Sequence, residues 1–352
     1  MISRIKKLAA TLEKGSAFYV SSVSDVFYLS GFSGTFGRII ASPAKNYFLT
    51  DPRYRGEVAS TDIGKNFEII ITKNFGFDLK KFLSKTKTLY ITGTTELPVY
   101  LNLKKFTHPK ISTSLAGLRM IKDTEEILLI KKAIHINEEA LIHISSVLKP
   151  GITEKDLALE FEIFVRKHGA EGLSFDPIIA FDAGSAVPHH KTSGARLKKN
   201  TFILADTGVK YRGYCSDLTR CICFGIIRTR LKDIQKHYNM VKSAKETGSR
   251  AYKSGALIRL ADAKARFSLK KQGNYDRLFT HSLGHGMGID IHEPPSVNAR
   301  EKTRFKPGMV LSCEPGIYIE GKYGIRIEDD YLVTEKGPKK LGELNDGLII
   351  KD

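Results

Sequence analysis

The first 118 residues alternate short runs of β-branched and aromatic residues with modest helical segments. The runs are AFYVSS at 17–22, FGRIIAS at 36–42, NYFLT at 46–50, FEIIIT at 67–72 and TLYITG at 88–93. Such punctuation of strand texture by helical stretches predicts a small α/β domain over 1–118. The pattern changes at LRMIKDTEEI (118–127), where Asp123 and Glu126 have the spacing of an N-terminal helix cap. The helix they open carries Ile127, Ile130, Ile134 and Leu141 on one stripe and is stopped by Lys149-Pro150-Gly151. A second helix starts at Thr153, turns Leu157, Phe161 and Phe164 inward, and ends at Gly169 after His168. Together they are expected to cover one face of a sheet, which makes His135, His143 and His168 surface or packing residues.

From residue 174 the texture becomes strands, FDPIIAFDAG (175–184), NTFILADTGVKY (200–211) and CSDLTRCICFG (215–225), followed by two helical stretches between 228 and 272. No fixed short repeat or low-complexity segment interrupts the pattern. The division expected is therefore 1–118 and 119–352. Asp25, Arg53 and Tyr54, isolated polar residues near turn signals of the first domain, read as surface positions or local caps.

With 352 residues, 41% of them hydrophobic, the chain can bury a sizeable core. It has no apolar run of eighteen residues, and MISRIKKLAATLEKG lacks the apolar core and cleavage site of a secretory signal, so a cytoplasmic protein without a membrane partner is expected. The formal charge of +18 divides into +9 over 1–118 and +9 over the remainder, with no run of five like charges. A Lys-rich solvated surface accounts for that better than a nucleic-acid face. Cys215, Cys221, Cys223 and Cys313 form no C-x-x-C pair and read as small buried hydrophobes. Because Cys215 and Cys313 adjoin candidate ligands, thiol modification there is expected to inhibit.

Candidate chemistry lies in LADTGVKYRGYCSDLTR (204–220), HSLGHGMGIDIHEPP (281–295), GMVLSCEPGIY (308–318) and GIRIEDDYLVT (324–334). Asp206 ends one strand and Asp217 stands within the next, so a Gly-containing hairpin brings two like charges side by side, a costly arrangement unless a cation compensates both. Glu314 and Glu328 lie in apolar alternating segments, where an unpaired carboxylate is equally expensive. With His285 they make a ligand set for two hard divalent cations sharing a water, and so a metallohydrolase. Arg326, two residues before Glu328, is placed on the same strand face as its partner. Five of the ten histidines, His189, His190, His281, His285 and His292, fall in or beside these phrases. His281 and His285 are four apart, but the glycines at 284, 286 and 288 favour strand or loop over a zinc-binding helix.

As a set, the phrases resemble the pita-bread metallopeptidases, in particular the branch of aminopeptidase P (Xaa-Pro aminopeptidase) and prolidase (Xaa-Pro dipeptidase). The resemblance is dense over 174–334 and looser before it. It implies an α+β fold: a C-terminal curved antiparallel sheet with outer helices, preceded by the smaller α/β domain. It further implies that Asp206 chelates one ion, that Asp217 and Glu328 bridge both, and that His285 and Glu314 complete the other. The family's non-ligand histidines fall on His189 rather than His190, on His281 and on His292. By the same resemblance, hydroxide bridging the ions attacks the carbonyl before proline, Glu314 moves the proton, and the histidines orient the substrate and the developing oxyanion. The ions expected are Mn²⁺, with Co²⁺ or Zn²⁺ able to replace it, and the assembly is a homodimer. The substrates implied are peptides with proline second. Ser296, standing where archaeal prolidases often carry an Arg, favours an aminopeptidase over a dipeptidase. A methionine aminopeptidase, a metal-free creatinase-like hydrolase and a non-catalytic binding module fit the phrases less well.

Overall fold

A computed structural model of the chain describes residues 3–352. The chain divides into two compact units, Met1–Arg119 and Met120–Asp352.

The first unit is built on one six-stranded mixed sheet. Its strands are β1 (Ser16–Val20), β2 (Gly37–Ala41), β3 (Tyr47–Thr50), β4 (Glu68–Ile71), β5 (Thr88–Ile91) and β6 (Pro109–Ile111), in the order β4-β3-β2-β1-β5-β6. β1 pairs antiparallel with β2 and parallel with β5. The helices are α1 (Arg4–Ala9), α2 (Val23–Ser30), α3 (Arg55–Ala59), α4 (Phe75–Leu83), α5 (Leu97–Lys104) and α6 (Ser114–Met120), the last running one residue past the division. Tyr19, Ile40, Leu49, Leu79, Leu83 and Leu89 form a core between the sheet and its helices. Asp25 is not a surface cap: it is buried and pairs with the Arg119 guanidinium at 2.8 Å, while Ser22 bonds its other oxygen. Arg53 is exposed and pairs locally with Asp51, and Tyr54 bonds Thr35.

The second unit opens with α7 (Thr124–Ser146) and α8 (Glu154–Lys167), each started by a reciprocal cap, Asp123 with Glu126 and Thr153 with Asp156. Strands β7 (Gly172–Leu173), β8 (Ile178–Phe181), β9 (Thr201–Thr207), β10 (Val209–Tyr211), β11 (Tyr214–Cys215) and β12 (Leu218–Phe224) follow, then α9 (Arg228–Ser249) and α10 (Arg259–Lys271). The chain finishes with β13 (Gly284–Gly286), β14 (Glu293–Val297), β15 (Val310–Cys313), β16 (Gly316–Ile319), β17 (Tyr323–Arg326), β18 (Asp329–Thr334), β19 (Gly337–Lys340) and β20 (Ile349–Lys351). The larger sheets run β20-β12-β9-β8 and β14-β13-β15-β18-β19, and all their pairings except β12 with β20 are antiparallel. This is the α+β organisation expected from the sequence. No helix among the described residues is long and apolar enough to cross a membrane.

Period-two alternation divides β9 and β12 between two cores. Ile203 and Ala205 of β9, with Leu218, Ile222 and Phe224 of β12, pack against Ile136, Leu141, Leu157, Phe161 and Val165 of α7 and α8. Phe202, Leu204, Cys221 and Cys223 join the other core, with Ile234, Tyr238, Val241 and Leu269 of α9 and α10 and Leu311, Ile325 and Ile327. Asp206, Asp217 and Thr219 have the parity of this second set. They therefore leave the strands on the face opposite α7 and α8.

Candidate metal centre

Register brings the candidate ligands together. Thr219 pairs with Asp206 across β9 and β12, which places Asp217, two residues before Thr219, diagonally beside Asp206. Asp217 itself lies in the link between β11 and β12 rather than within a strand. Glu314 follows the end of β15, and its amide is held by the Leu283 carbonyl at 2.8 Å. Glu328 occupies the link between β17 and β18, with Thr219 Oγ1 donating to its Oε2 at 2.7 Å. His285 is the central residue of β13, and glycine on both sides is a steric demand. A Cβ at Gly284 would lie 2.1 Å from the Ser312 carbonyl oxygen, and one at Gly286 would lie 2.6 Å from that of Pro294.

Asp217, His285 and Glu328 each offer a ligand atom within 4.8 Å of the other two, and all three are buried. His285 Nε2 stands 3.5 Å from carboxylate oxygens of both Asp217 and Glu314. Its Nδ1 lies 3.1 Å from the Gly286 carbonyl, which fixes the proton on Nδ1 and leaves the Nε2 lone pair facing the carboxylates. A lone pair confronting two anionic groups is unfavourable until a cation stands between them. Asp206 Oδ1 and Glu328 Oε1 point the same way, since both are buried without a hydrogen-bond partner. Burial, and then the neighbouring carboxylates led by Asp206, raises Asp217 well above the usual carboxylate range. Burial followed by Asp217 does the same to Glu328, and burial raises Glu314. The residues present fit divalent cations in number, chemistry and charge deficit.

Arg326 is the cation built into this cluster. It closes β17, and its guanidinium bonds Asp206 Oδ2 at 2.5 Å, the Tyr318 hydroxyl at 2.7 Å and Thr219 Oγ1 at 3.2 Å. Its direct carboxylate partner is thus Asp206; it reaches Glu328, the partner expected from the sequence, only through Thr219. Because Arg326 donates to Tyr318, the phenol, pushed up to about 12 by burial, donates in turn to His281 Nε2 at 2.8 Å. His281 therefore carries its proton on Nδ1, directed at the Ser282 carbonyl 2.9 Å away. Burial, with the charge of Arg326, pushes its pKa down to about 3, so the ring is neutral.

A cavity of about 790 Å³ is lined by Asp206, Asp217, His285, Glu314 and Glu328 together with His189, His281, His292 and Arg326. Every candidate site residue from the sequence meets there. The His292 ring lies 4.3 Å from that of His285, and burial, followed by the neighbouring His285 ring, lowers its pKa. His190 turns away to pair with Glu154 at 2.9 Å and lines a different cavity. The wall also includes Phe175, Ile178, Ile291, Pro294 and Pro295.

Sequence reasoning missed Tyr318, Thr219 and Asp330. Asp330 accepts the Asp217 amide at 3.1 Å, and burial pushes it up to about 8. The parity of Thr219 with Asp217 was a usable signal; Tyr318, although inside EPGIY, had none. All four cysteines are buried, as expected of small hydrophobes, and burial pushes Cys215 up to about 11 and Cys313 to about 12, which weighs against the expected inhibition by thiol modification.

Residues 129–335 match the model of metallopeptidase family M24. The chain belongs to this family. Residues 4–121 match the creatinase/prolidase N-terminal domain. The Xaa-Pro dipeptidase of Pyrococcus furiosus is 33% identical over 355 residues, covering 99% of this chain and 100% of the relative. Among solved structures, an Xaa-Pro dipeptidase from Bacillus anthracis superposes with a TM-score of 0.91 at 33% identity, covering 98% of both chains. An X-Pro aminopeptidase from Thermotoga maritima superposes at 0.89 and 33%, covering 99% of this chain and 100% of that one. The two-domain α+β fold and the metallopeptidase reading of the phrases at 204–334 accord with these matches.

Proposed function

We propose that this M24 metallopeptidase releases the N-terminal residue from peptides with proline in second position and acts as an aminopeptidase on chains longer than two residues. The observation that carries the choice is the composition of the cavity wall. Among the described residues, Arg326 is its sole Lys or Arg, and that guanidinium is committed to Asp206, Tyr318 and Thr219. A dipeptide presents its carboxylate immediately after proline and needs a cation there; this wall offers Ser296 and Glu301. Charge complementarity therefore favours a chain that continues. The dipeptidase reading has the support of the names of the Pyrococcus and Bacillus relatives, and the assay below separates the two.

Two divalent cations would be held by Asp206, Asp217, His285, Glu314 and Glu328, and four oxygen ligands to one nitrogen favour a hard ion such as Mn²⁺ over a thiophilic one. When bound, the ions compensate the clustered carboxylates and acidify a water. Glu314, beside His285 and His281, would take a proton from the nucleophile and return it to the proline nitrogen. His292 and His189 line the cavity on the substrate side and would hydrogen-bond the carbonyl as it becomes an oxyanion. His281, fixed as a neutral tautomer by Tyr318 and lying 3.8 Å from Glu314, supports that carboxylate. Phe175, Ile178, Ile291 and the Pro294-Pro295 pair give the proline ring an apolar wall. That ring removes the amide donor on which peptidases binding extended backbone depend, so recognition has to come from such a wall.

The test is Mn²⁺-loaded protein assayed in parallel against Gly-Pro and Arg-Pro-Pro. Turnover of Arg-Pro-Pro well above Gly-Pro is expected, the reverse would establish a dipeptidase, and cleavage of neither with metal bound would end the proline-specific reading. Asp217→Ala is expected to lose both bound metal, measured by elemental analysis, and turnover, while keeping its far-UV circular dichroism.

A further inference from the structure

His292 is carried by the loop 287–292 between β13 and β14, and a loop that orients a side chain toward substrate needs its own restraint. The first residue of β14, Glu293, supplies one. Its Oε1 accepts the amides of Ile289 at 2.9 Å and Asp290 at 3.2 Å, closing the loop on itself. Its Oε2 accepts from the Lys122 ammonium at 3.0 Å, and the two side chains are only 1% and 4% exposed. Lys122 lies 171 positions away in sequence and is itself anchored, its amide bonded to the Gly308 carbonyl at 2.8 Å. The packing leaves no slack: a Cβ on Gly288 would sit 3.0 Å from both Glu293 oxygens and from Lys122 Cε. On the other side of the loop, the Cys215 amide holds the Gly288 carbonyl at 2.7 Å.

We propose that Lys122 and Glu293 are a positioning pair. The buried ammonium fixes the Glu293 carboxylate, and that carboxylate, through the amides of Ile289 and Asp290, holds the 287–292 loop so that His292 stays beside His285 and faces the cavity. The catalytic consequence rests on the peptidase reading above; the restraint on the loop does not. Neither residue touches the reacting atoms. Both act through His292, whose displacement by about 1 Å is enough to cost on the order of a hundredfold in rate.

A buried ion pair could equally serve stability alone, and replacing such a pair by apolar groups of similar size is often harmless to the fold. Two double variants separate the possibilities. Lys122→Met with Glu293→Gln removes both charges but keeps a carbonyl oxygen to accept the two amides. Lys122→Met with Glu293→Met removes the charges and the acceptor together.

Two readouts are taken, hydrogen exchange of the 287–292 amides and the separate values of kcat and KM for Arg-Pro-Pro. The Met/Gln variant keeps an acceptor that the ammonium no longer fixes, and it is expected to exchange its loop amides about three- to tenfold faster than the unmodified protein, with a smaller loss in kcat than Met/Met. The Met/Met variant is expected to exchange its loop amides at least tenfold faster and to lose between about ten- and a hundredfold in kcat with KM nearly unchanged, while metal content is retained. Phe161→Ala, a core truncation on α8, lowers stability in a distant part of the unit and is expected to leave loop exchange unaltered. A Met/Met variant as rigid and active as the unmodified protein would overturn the proposal, as would a Met/Gln variant whose loop exchange is unchanged. Should the unmodified protein cleave no proline peptide, the peptidase reading fails, and the exchange data alone still decide whether the pair holds the loop.

Discussion

Removing the cations should turn the centre into a pH-dependent liability, and the structure sets its sign and scale. The perturbation is exhaustive chelation, followed by melting between pH 6.5 and pH 8. Asp330 keeps its proton in the folded state up to about pH 8, whereas in the unfolded chain it ionises near its ordinary value of 3.8. Across the chosen window the folded state binds more protons, so stability falls as pH rises. At about 1.4 kcal/mol per pH unit, Asp330 alone removes about 2 kcal/mol over that span, roughly 4–8 °C in Tm for a unit of this size. Asp217 and Glu328, raised well above their ordinary values, act in the same direction. The depressed histidines His281, His292 and His237 act oppositely, but from pH 6.5 upward each adds back at most about 0.4 kcal/mol, because its unfolded form is already half neutral at 6.5, so together they offset only part of the loss. With Mn²⁺ in excess the carboxylates serve as ligands, metal binding releases the protons, and the decline should flatten or reverse. Scanning calorimetry of both forms at several pH values gives the comparison. A chelated protein whose Tm is level or rises from pH 6.5 to pH 8 would refute the reasoning.

Arg326→Lys keeps the charge but not the fork that joins Asp206, Tyr318 and Thr219, so a loss of about 2–4 kcal/mol of stability is expected, with weaker metal retention and a fall in kcat, read by calorimetry, elemental analysis and steady-state kinetics. The thiols give a negative control. With all four cysteines buried and their thiols pushed up to between about 11 and 12, iodoacetamide at pH 7.5 is expected to label the folded protein slowly and to leave turnover unchanged, whereas rapid labelling with loss of activity would restore Cys215 or Cys313 as a point of inhibition.

What the sequence made legible was local. The Asp123 and Glu126 cap, the helical stripe, of which Ile130, Ile134 and Leu141 are buried and Ile127 half-buried, and the strand texture of 200–211 and 215–225 are each contained within a few turns or strand residues, and each is formed as expected. The ligand candidates were legible for a related reason: a carboxylate in an apolar strand segment is expensive wherever its neighbours fold. Partnerships across long sequence separations were not legible. Asp25 looked like a surface turn residue because Arg119, 94 positions on, gives no local sign of burying it. Arg326 was assigned to Glu328 because the two are neighbours in sequence, yet the pleat and the turn into β18 send its guanidinium to Asp206, 120 residues away. Lys122 read only as part of the boundary phrase, since its role depends on a carboxylate 171 residues distant.

The residues proposed to hold cations and those proposed to face substrate are supported in different ways. Asp206 and His285 lie on strands, and Asp217, Glu314 and Glu328 immediately beside them, so ladder hydrogen bonds set their direction and a bound ion would reinforce it. His189 and His292 lie on loops, and no ion would tether them. Each of these loops is pinned next to the histidine by a buried glutamate that is not a candidate ligand. Glu293 takes the amides of Ile289 and Asp290, and Glu154 takes the amide and hydroxyl of Ser193 at 2.7 Å, His190 Nε2 at 2.9 Å and the Phe181 amide at 2.8 Å. Bonds from amides to an ionised carboxylate are about twice as strong as neutral ones, and a single buried carboxylate can accept several at once. Glutamate one position after His292, and at the start of α8 beside the His189 turn, is thus the side chain that converts a loop into a fixed mount, and that explains two buried anions in this unit that metal binding does not.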